Sequence, residues 1–305
     1  MITYEKLSKK PVAFRSMTGL TVKEFDLLYQ DLIPANEAAE IRRLSRSDRQ
    51  RTIGAGRKYA LSFRERLLMA VIHLRLYPSS GALGFLFSVD KSTVSRNVRR
   101  IILLLEALGC ATFGWPKSGE RRPASLDEIM GQCPDLLAIV DATEQRIERP
   151  QDQTAQKAHY SGKKKVHTRK TQIVVNEQGY IRHVSDSVPG SKHDRKLLQE
   201  TDVYDQLPPN VPMMGDSGYQ GAQKDRPDVH FELPNKGSRW HPLTAEDKAY
   251  NRVFSRIRII VENALARVKI FRILADRYRH CLDSYNATFV AVAGLVNRRL
   301  AQSLA

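Results

Sequence analysis

Three acidic residues occupy positions where a carboxylate can do more than solvate a surface. They are Asp141 in "LLAIVDAT", Asp216 in "VPMMGDSGYQG" and Glu262 in "RIRIIVENALARVKIF". Asp141 ends a run that is apolar on both faces, the pattern of a strand in the middle of a sheet. Asp216 ends a second apolar run and is followed by Ser-Gly-Tyr. Acids where strands stop beside loops are held rigidly and are open to substrate. Each also has an ordinary reading, since aspartate caps turns and often precedes glycine. On a helical wheel Ile257, Ile260, Val261, Ala264, Val268 and Phe271 form a core-facing stripe, and Arg258, Glu262 and Lys269 form a narrow charged strip beside it. The ordinary reading of that strip is an Arg–Glu pair four residues apart, worth about 0.2–0.5 kcal/mol.

Should the three acids meet in space, their chemistry follows. Clustered carboxylates repel and raise one another's pKa, and a divalent cation removes the conflict. Hard oxygen donors suit Mg²⁺ or Mn²⁺. Two such ions, about 3.5–4 Å apart, serve phosphodiester cleavage by activating the attacking oxygen and stabilising the leaving one. Arg258 and Lys269 would then face the phosphate backbone.

The elements that must bring these acids together can be read from the second half. "LLAIVDAT" is a strand. "KKKVHTRKTQIVVN" and "GYIRHVSDSVPG" are two more, joined by a turn at Glu177-Gln178-Gly179. A helix in "DRKLLQETDVYDQL", a strand in "VPMMGD", a strand in "VHFELPN", the long helix around Glu262 and a last helix, "YNATFVAVAGLVNRRLAQ", complete the series. This order predicts an α/β domain over 135–305: a ribonuclease H-like mixed sheet flanked by helices. If the strands ending at Asp141 and Asp216 are neighbours, their carboxylates come close, and the long helix crossing the sheet adds Glu262. His193 and Asp194 precede a helix, which Ser191 or Asp194 can cap. Lys163, Lys165, His167 and Arg169 alternate along one predicted strand, as a phosphate track or as a lysine-protected edge. Arg239 and Trp240 lie in the loop "NKGSRWHP", where they can stack on an unpaired base; the alternative is Trp240 packed on the helix below.

The first half is predicted to be helical. Residues 20–41 read as one or two short helices broken near Pro34. Residues 42–58 carry seven basic residues and one acid and read as a basic arm or a solvated linker. Within 62–108 three helices follow, with Asp90 or Ser92 capping the third. Val94, Val98, Ile101 and Leu105 face inward; Ser92, Arg96, Asn97, Arg99 and Arg100 face outward, the residue types that read base edges and phosphates. The predicted organisation is N-terminal helices and basic arm at 1–60, an all-α helix-turn-helix domain at 61–110, a linker at 111–134, and the α/β domain.

The chain has 305 residues and a formal charge of +16. This balance favours a polyanionic partner such as nucleic acid. Both halves are basic, with 22 Lys/Arg against 13 Asp/Glu in 1–134 and 27 against 20 in 135–305. No apolar run approaches a membrane span, and the start has no apolar secretory core. Cys110, Cys133 and Cys281 are far apart and odd in number, which points to a reducing compartment and no zinc site.

"VDATE" (140–144), "YSGKKKVHTRKTQ" (160–172), "GSKHDRKL" (190–197), "GDSGYQG" (215–221) and "RIIVENALARVK" (258–269) together resemble the DDE transposases of bacterial insertion sequences. The likeness is to the group named insertion sequence five, related to the nuclease of eukaryotic Harbinger elements, and spans about residues 136–300. It implies that Asp141, Asp216 and Glu262 are the metal-binding and catalytic triad, with His193 and Asp194 as support. Related last motifs read Tyr, two residues, Arg, three residues, Glu, six residues, Lys. Arg258, Glu262 and Lys269 fit; Ser255 stands at the Tyr position, so the tyrosine's role is not carried over. The resemblance implies a transposase acting on double-stranded DNA, at element ends and target, as a homodimer or higher oligomer in the nucleoid-associated cytoplasm, with two Mg²⁺ or Mn²⁺ ions. The alternatives are a domesticated, non-cutting DNA-binding regulator and another nuclease on the same fold.

Overall fold

Capping side chains set where the first helices begin. Thr21 and Ser62 each accept the backbone N–H three residues on, and Glu24 and Glu65 return a bond to the cap backbone. The structure is a computed structural model and describes residues 1–45, 58–115, 137–208 and 211–304. The N-terminal helices are α1 (Tyr4–Ser8), α2 (Pro11–Thr18), α3 (Val22–Leu44), α4 (Phe63–Leu76), α5 (Ser80–Phe87) and α6 (Lys91–Cys110). α4, α5 and α6 are the three expected helices of the helix-turn-helix region. Ser88, at φ +56°, turns the chain, and the Val89 N–H donates to the Gly84 carbonyl. A Cβ on Gly84 would lie 2.5 Å from the Val89 oxygen, so only glycine admits this turn. The Ser92 N–H donates to Asp90 Oδ1 at 2.7 Å at the start of α6. Val94, Val98, Ile101 and Leu105 are buried, as expected.

Two expectations fail here. Pro34 does not break the chain into short helices, because α3 runs unbroken over 23 residues. The fully packed Phe25, Leu28 and Leu32 anchor it, and such packing outweighs a proline's interior penalty of about 3 kcal/mol. Asn97 does not face outward; it is only 4% exposed. Its position on α6 adjoins Val94, Val98 and Ile101, so the apolar arc is one residue wider than the periodicity suggests. Most of the basic arm, and the expected linker from residue 116 on, lie outside the described residues.

The second region is built on β1 (Ala138–Arg146). After it come α7 (Gln153–His159), β2 (Tyr160–Ser161), β3 (Val166–Val175), β4 (Ile181–Val184), β5 (Val188–Pro189), α8 (Asp194–Gln199), α9 (Val203–Gln206), β6 (Met213–Met214), α10 (Ala222–Asp225), β7 (Phe231–Glu232) and α11 (Ala245–Lys269). The sheet order is β2-β3-β1-β6-β7, with β4 and β5 also on β3. β3 is antiparallel to β1, whereas β6 and β7 run parallel to β1. Val140, Val174, Leu198, Met213 and Tyr219 share a core on one face. This is the predicted ribonuclease H-like arrangement, a mixed sheet flanked by helices behind an all-α helix-turn-helix domain. Among the described residues no helix is long and apolar enough to cross a membrane.

The expected uninterrupted block 135–305 needs correction. The chain divides into a unit of 1–110, 270–275 and 287–305 and a unit of 111–269 and 276–286. α12 (Arg272–Ala275) and nearly all of α13 (Tyr285–Leu304) therefore belong with the N-terminal helices. Paired glycines explain part of this. A Cβ on Gly294 would lie 2.4 Å from the Gly109 Cα, so α6 and α13 cross backbone to backbone. Arg298 pairs with Asp31, and Arg299 with Glu24 at 3.8 Å.

Candidate active site

Contrary to expectation, Asp141 does not end its strand; β1 continues to Arg146. What ends two residues before Asp141 is the parallel pairing, because β6 stops at Met214 opposite Ile139. The β1–β6 ladder ends there, and Asp216 follows two residues beyond β6. Asp216 Oδ1 accepts the Gly218 N–H at 2.7 Å and so caps the one-turn helix Ser217–Tyr219.

The acids share one electrostatic environment. Burial pushes the Asp141 carboxyl up to about 6, the Asp216 and Asp194 carboxylates add to the rise, and the Ala142 N–H and Arg258 oppose it. The phenol of the fully buried Tyr219 is raised well above its usual value, by burial first and then by Asp194, Asp141 and Asp216. Its hydroxyl donates to Gln172 Oε1 at 3.2 Å.

Glu262 joins this group through Arg258. Arg258 Nη2 lies 3.5 Å from Glu262 Oε1 and 4.0 Å from Asp141 Oδ2. The Glu262 side chain is 56% exposed and borders the site rather than filling it. Arg258 turns toward the acids, with the partly buried Asp141 carboxylate within its reach. Lys269 is solvent-exposed as a residue. Partial desolvation and Lys164 lower its ammonium pKa, while Asp141 draws it up, which places its charge near the same centre.

The donor set suits a hard divalent cation. Asp141 carries a surplus of nearby negative charge, Arg258 stands beyond ordinary hydrogen-bond length from Asp141, and Arg258 Nε is buried without an acceptor. Asp141 Oδ1 accepts the Ala142 N–H and Asp216 Oδ1 the Gly218 N–H, which leaves these oxygens further acceptor capacity. Among the described residues no three His, Cys, Asp or Glu side chains gather closely enough to hold an ion by themselves.

The remaining candidates divide. Asp194 reaches the centre, whereas His193 is exposed and makes no side-chain cap bond. Lys163 and Lys165 lie in a turn, not on a strand; β3 starts only at Val166, and Lys165 has φ +56°. The reason is local: the Lys165 N–H donates to the Ser161 carbonyl and the Lys164 N–H to Ser161 Oγ, closing the turn. His167 and Arg169 are on β3, but Arg169 is tied to Ser187 Oγ at 2.7 Å and to the Ser187 carbonyl at 3.0 Å. Trp240 is 81% exposed, which excludes its packing on the helix below, and Arg239 lies 5.6 Å over its ring. On α6, Ser92, Arg96 and Arg99 are exposed, with Arg96 Nη2 donating to Ser92 Oγ at 3.1 Å, and Arg100 donates to Tyr59 Oη at 2.8 Å. The residues sequence reasoning missed are Lys170, Glu144 and Gly218. A lysine in the middle of the otherwise buried stretch of β3 was the available signal for the first.

The chain belongs to the DDE superfamily endonucleases. The DDE superfamily endonuclease family matches residues 140–297, and the helix-turn-helix of DDE superfamily endonuclease matches residues 59–111. Among individual proteins, the chain is 29% identical over 291 residues, 94% of each chain, to the "Probable transposase for insertion sequence element IS702" of Microchaete diplosiphon. It is 23% identical over 207 residues to the "Putative nuclease HARBI1" of Homo sapiens, covering 66% of this chain and 54% of that protein. The Rattus norvegicus protein of the same name is 24% identical over the same length.

Proposed function

We propose that this chain is a metal-dependent DNA transposase. The helix-turn-helix binds the inverted repeats at the ends of a mobile element, with Ser92, Arg96, Arg99 and Arg100 at the DNA. The α/β unit cuts the phosphodiester at the end: water attacks phosphorus, the bond to the 3′ oxygen breaks, and a 3′-OH is left. That hydroxyl then attacks a phosphodiester of target DNA, the bond to the target's 3′ oxygen breaks and leaves a 3′-OH, and the element is joined to the target. Joining two ends calls for a homodimer or higher oligomer on DNA.

Asp141 and Asp216 would hold the divalent ions, Mg²⁺ or Mn²⁺, with Glu262 completing the set. When bound, the ions supply Lewis acidity for the attacking and leaving oxygens. Asp194 adds negative charge behind Asp216. Arg258 fixes Glu262 relative to Asp141, and Lys269 with Lys163, Lys164 and Lys165 carries positive charge toward the phosphate track. Arg239 and Trp240 offer a cation and an exposed ring to an unpaired base near the cut.

The observation that carries this reading is the placement of Asp141 and Asp216 at the mouth where β1 and β6 part, each within the field of the other. Asp216→Asn tests it. End-specific DNA binding is expected to persist while Mg²⁺-dependent nicking disappears. Nicking at the native rate by that variant rejects the site.

A further inference from the structure

Two stretches that the cleavage reading leaves largely unused, residues 160–172 and 190–197, meet around one buried cation. Lys170 on β3 is 6% exposed. Its Nζ donates to the Lys192 carbonyl at 2.6 Å and to Asp194 Oδ1 at 2.7 Å, and lies 3.6 Å from Glu144 Oε1. Glu144 is its direct cross-strand partner on β1 and also accepts a bond from Thr168 Oγ1 at 2.9 Å. A Cβ on Gly190 would lie 1.8 Å from Thr168 Oγ1. Glycine there lets the chain between β5 and α8 pass close over β3 and carry Lys192 and Asp194 to the ammonium.

A buried ion pair adds little stability over apolar residues of the same volume. What it does provide is orientation, since a lysine that donates to two fixed acceptors and pairs with a third group leaves them one arrangement. Lys170 engages only Oδ1 of Asp194. Oδ2 faces the Asp216 turn: a Cβ on Gly218 would lie 2.9 Å from Asp194 Oδ2 and 2.8 Å from Asp216 Oδ1. The lysine therefore fixes the orientation in which Asp194 presents its free oxygen to the site.

We propose that Lys170 is a positioning residue for phosphodiester cleavage, acting through Asp194 to hold that carboxylate beside Asp216 and Asp141. This inference rests on the transposase reading above. Lys170 itself touches neither DNA nor the reacting atoms.

The test uses the full chain and a plasmid carrying the genomic DNA that flanks its coding region, nicked in the presence of Mn²⁺. Lys170→Met and Asp194→Asn are each expected to lower kcat roughly 10–100-fold, as is usual when the support of a metal ligand is removed, with KM for DNA unchanged. Both should also diminish the rise in Tm that MnCl2 gives the wild type. The double variant should match Asp194→Asn, because a residue that acts through another adds nothing once that other is gone. Wild-type nicking by either single variant, or effects that multiply in the double, overturn the inference. Asp194→Asn removes only a charge from a partly exposed side chain, so wild-type nicking by it overturns the inference even if Lys170→Met does not fold. Asp141→Asn separates the two readings. If it still nicks, the cleavage site is misassigned; if it is inactive while Lys170→Met and Asp194→Asn nick normally, only the role of Lys170 is lost.

Discussion

Arg258 reaches from α11 to within 4.0 Å of Asp141 on β1, and this contact links the helix carrying Glu262 to the strand at the centre of the sheet. It is the cationic contact that opposes the raised pKa of Asp141. Arg258→Met should therefore destabilise the α/β unit at pH 7.5 by about 1–3 kcal/mol, the usual cost of stranding a partly buried charged partner. Urea unfolding measures this, and added MnCl2 should recover more of the loss in the variant than it adds to the wild type. An unchanged midpoint would show that the arginine is not the counter-charge.

Asp141 makes stability depend on pH with a definite sign. Its folded pKa of about 6 lies above the ordinary 3.8, so the folded state favours the protonated form. The associated stability is complete below about pH 3.8, is lost as pH rises toward 6, and is absent above that. Asp141→Asn should consequently be more stable than the wild type at pH 7.5 by roughly 2–3 kcal/mol, at 1.36 kcal/mol per unit of pKa. The gain should vanish near pH 3.8. Thermal melts across this range decide it; a gain that is constant with pH contradicts the assignment.

A side chain at Gly218 would displace the carboxylates beside it. A Cβ would enter the gap already lined by Asp194 Oδ2 and Asp216 Oδ1. Gly218→Ala should reduce Mn²⁺-dependent nicking at least tenfold, in line with the loss usual when ligand support is disturbed, and leave end binding by the helix-turn-helix intact. Gel shift and nicking on the same DNA separate the two effects.

Trp240 is predicted to matter for DNA and not for folding. With 81% of its surface exposed, Trp240→Ala should shift stability by less than about 0.5 kcal/mol. Affinity for a duplex with an unpaired end should fall by about 1–3 kcal/mol if the ring stacks on a base. Equal affinity for both proteins removes the stacking role.

On α6 the predictions diverge between neighbours. Arg96→Ala and Arg99→Ala should weaken DNA binding and flatten its salt dependence, each by close to one phosphate contact where a phosphate is touched. Asn97→Ala should lower the melting temperature without changing which DNA is bound, since the residue is buried. A shift in sequence preference from Asn97→Ala would show that its side chain reads a base.

Much of the architecture follows from patterns within a few residues of one another. The 3.6-residue period placed α4, α6 and α11, and the apolar run before Asp141 placed β1 in the middle of the sheet. The acids at 141, 216 and 262 could be singled out because each interrupts such a pattern. Only the folded chain decided the rest. It determined that β6 pairs with β1 and stops two residues before Asp141, that Asn97 is buried, that Arg169 is bound to Ser187, and that α13 lies with the N-terminal helices. Lys170 shows the reason most directly. Its partners are 22, 24 and 26 positions away, and no local period records such distances, because they arise from the way loops close and glycines admit near contacts. Periodicity governs which side of an element a residue occupies; which distant groups meet it there is settled by packing.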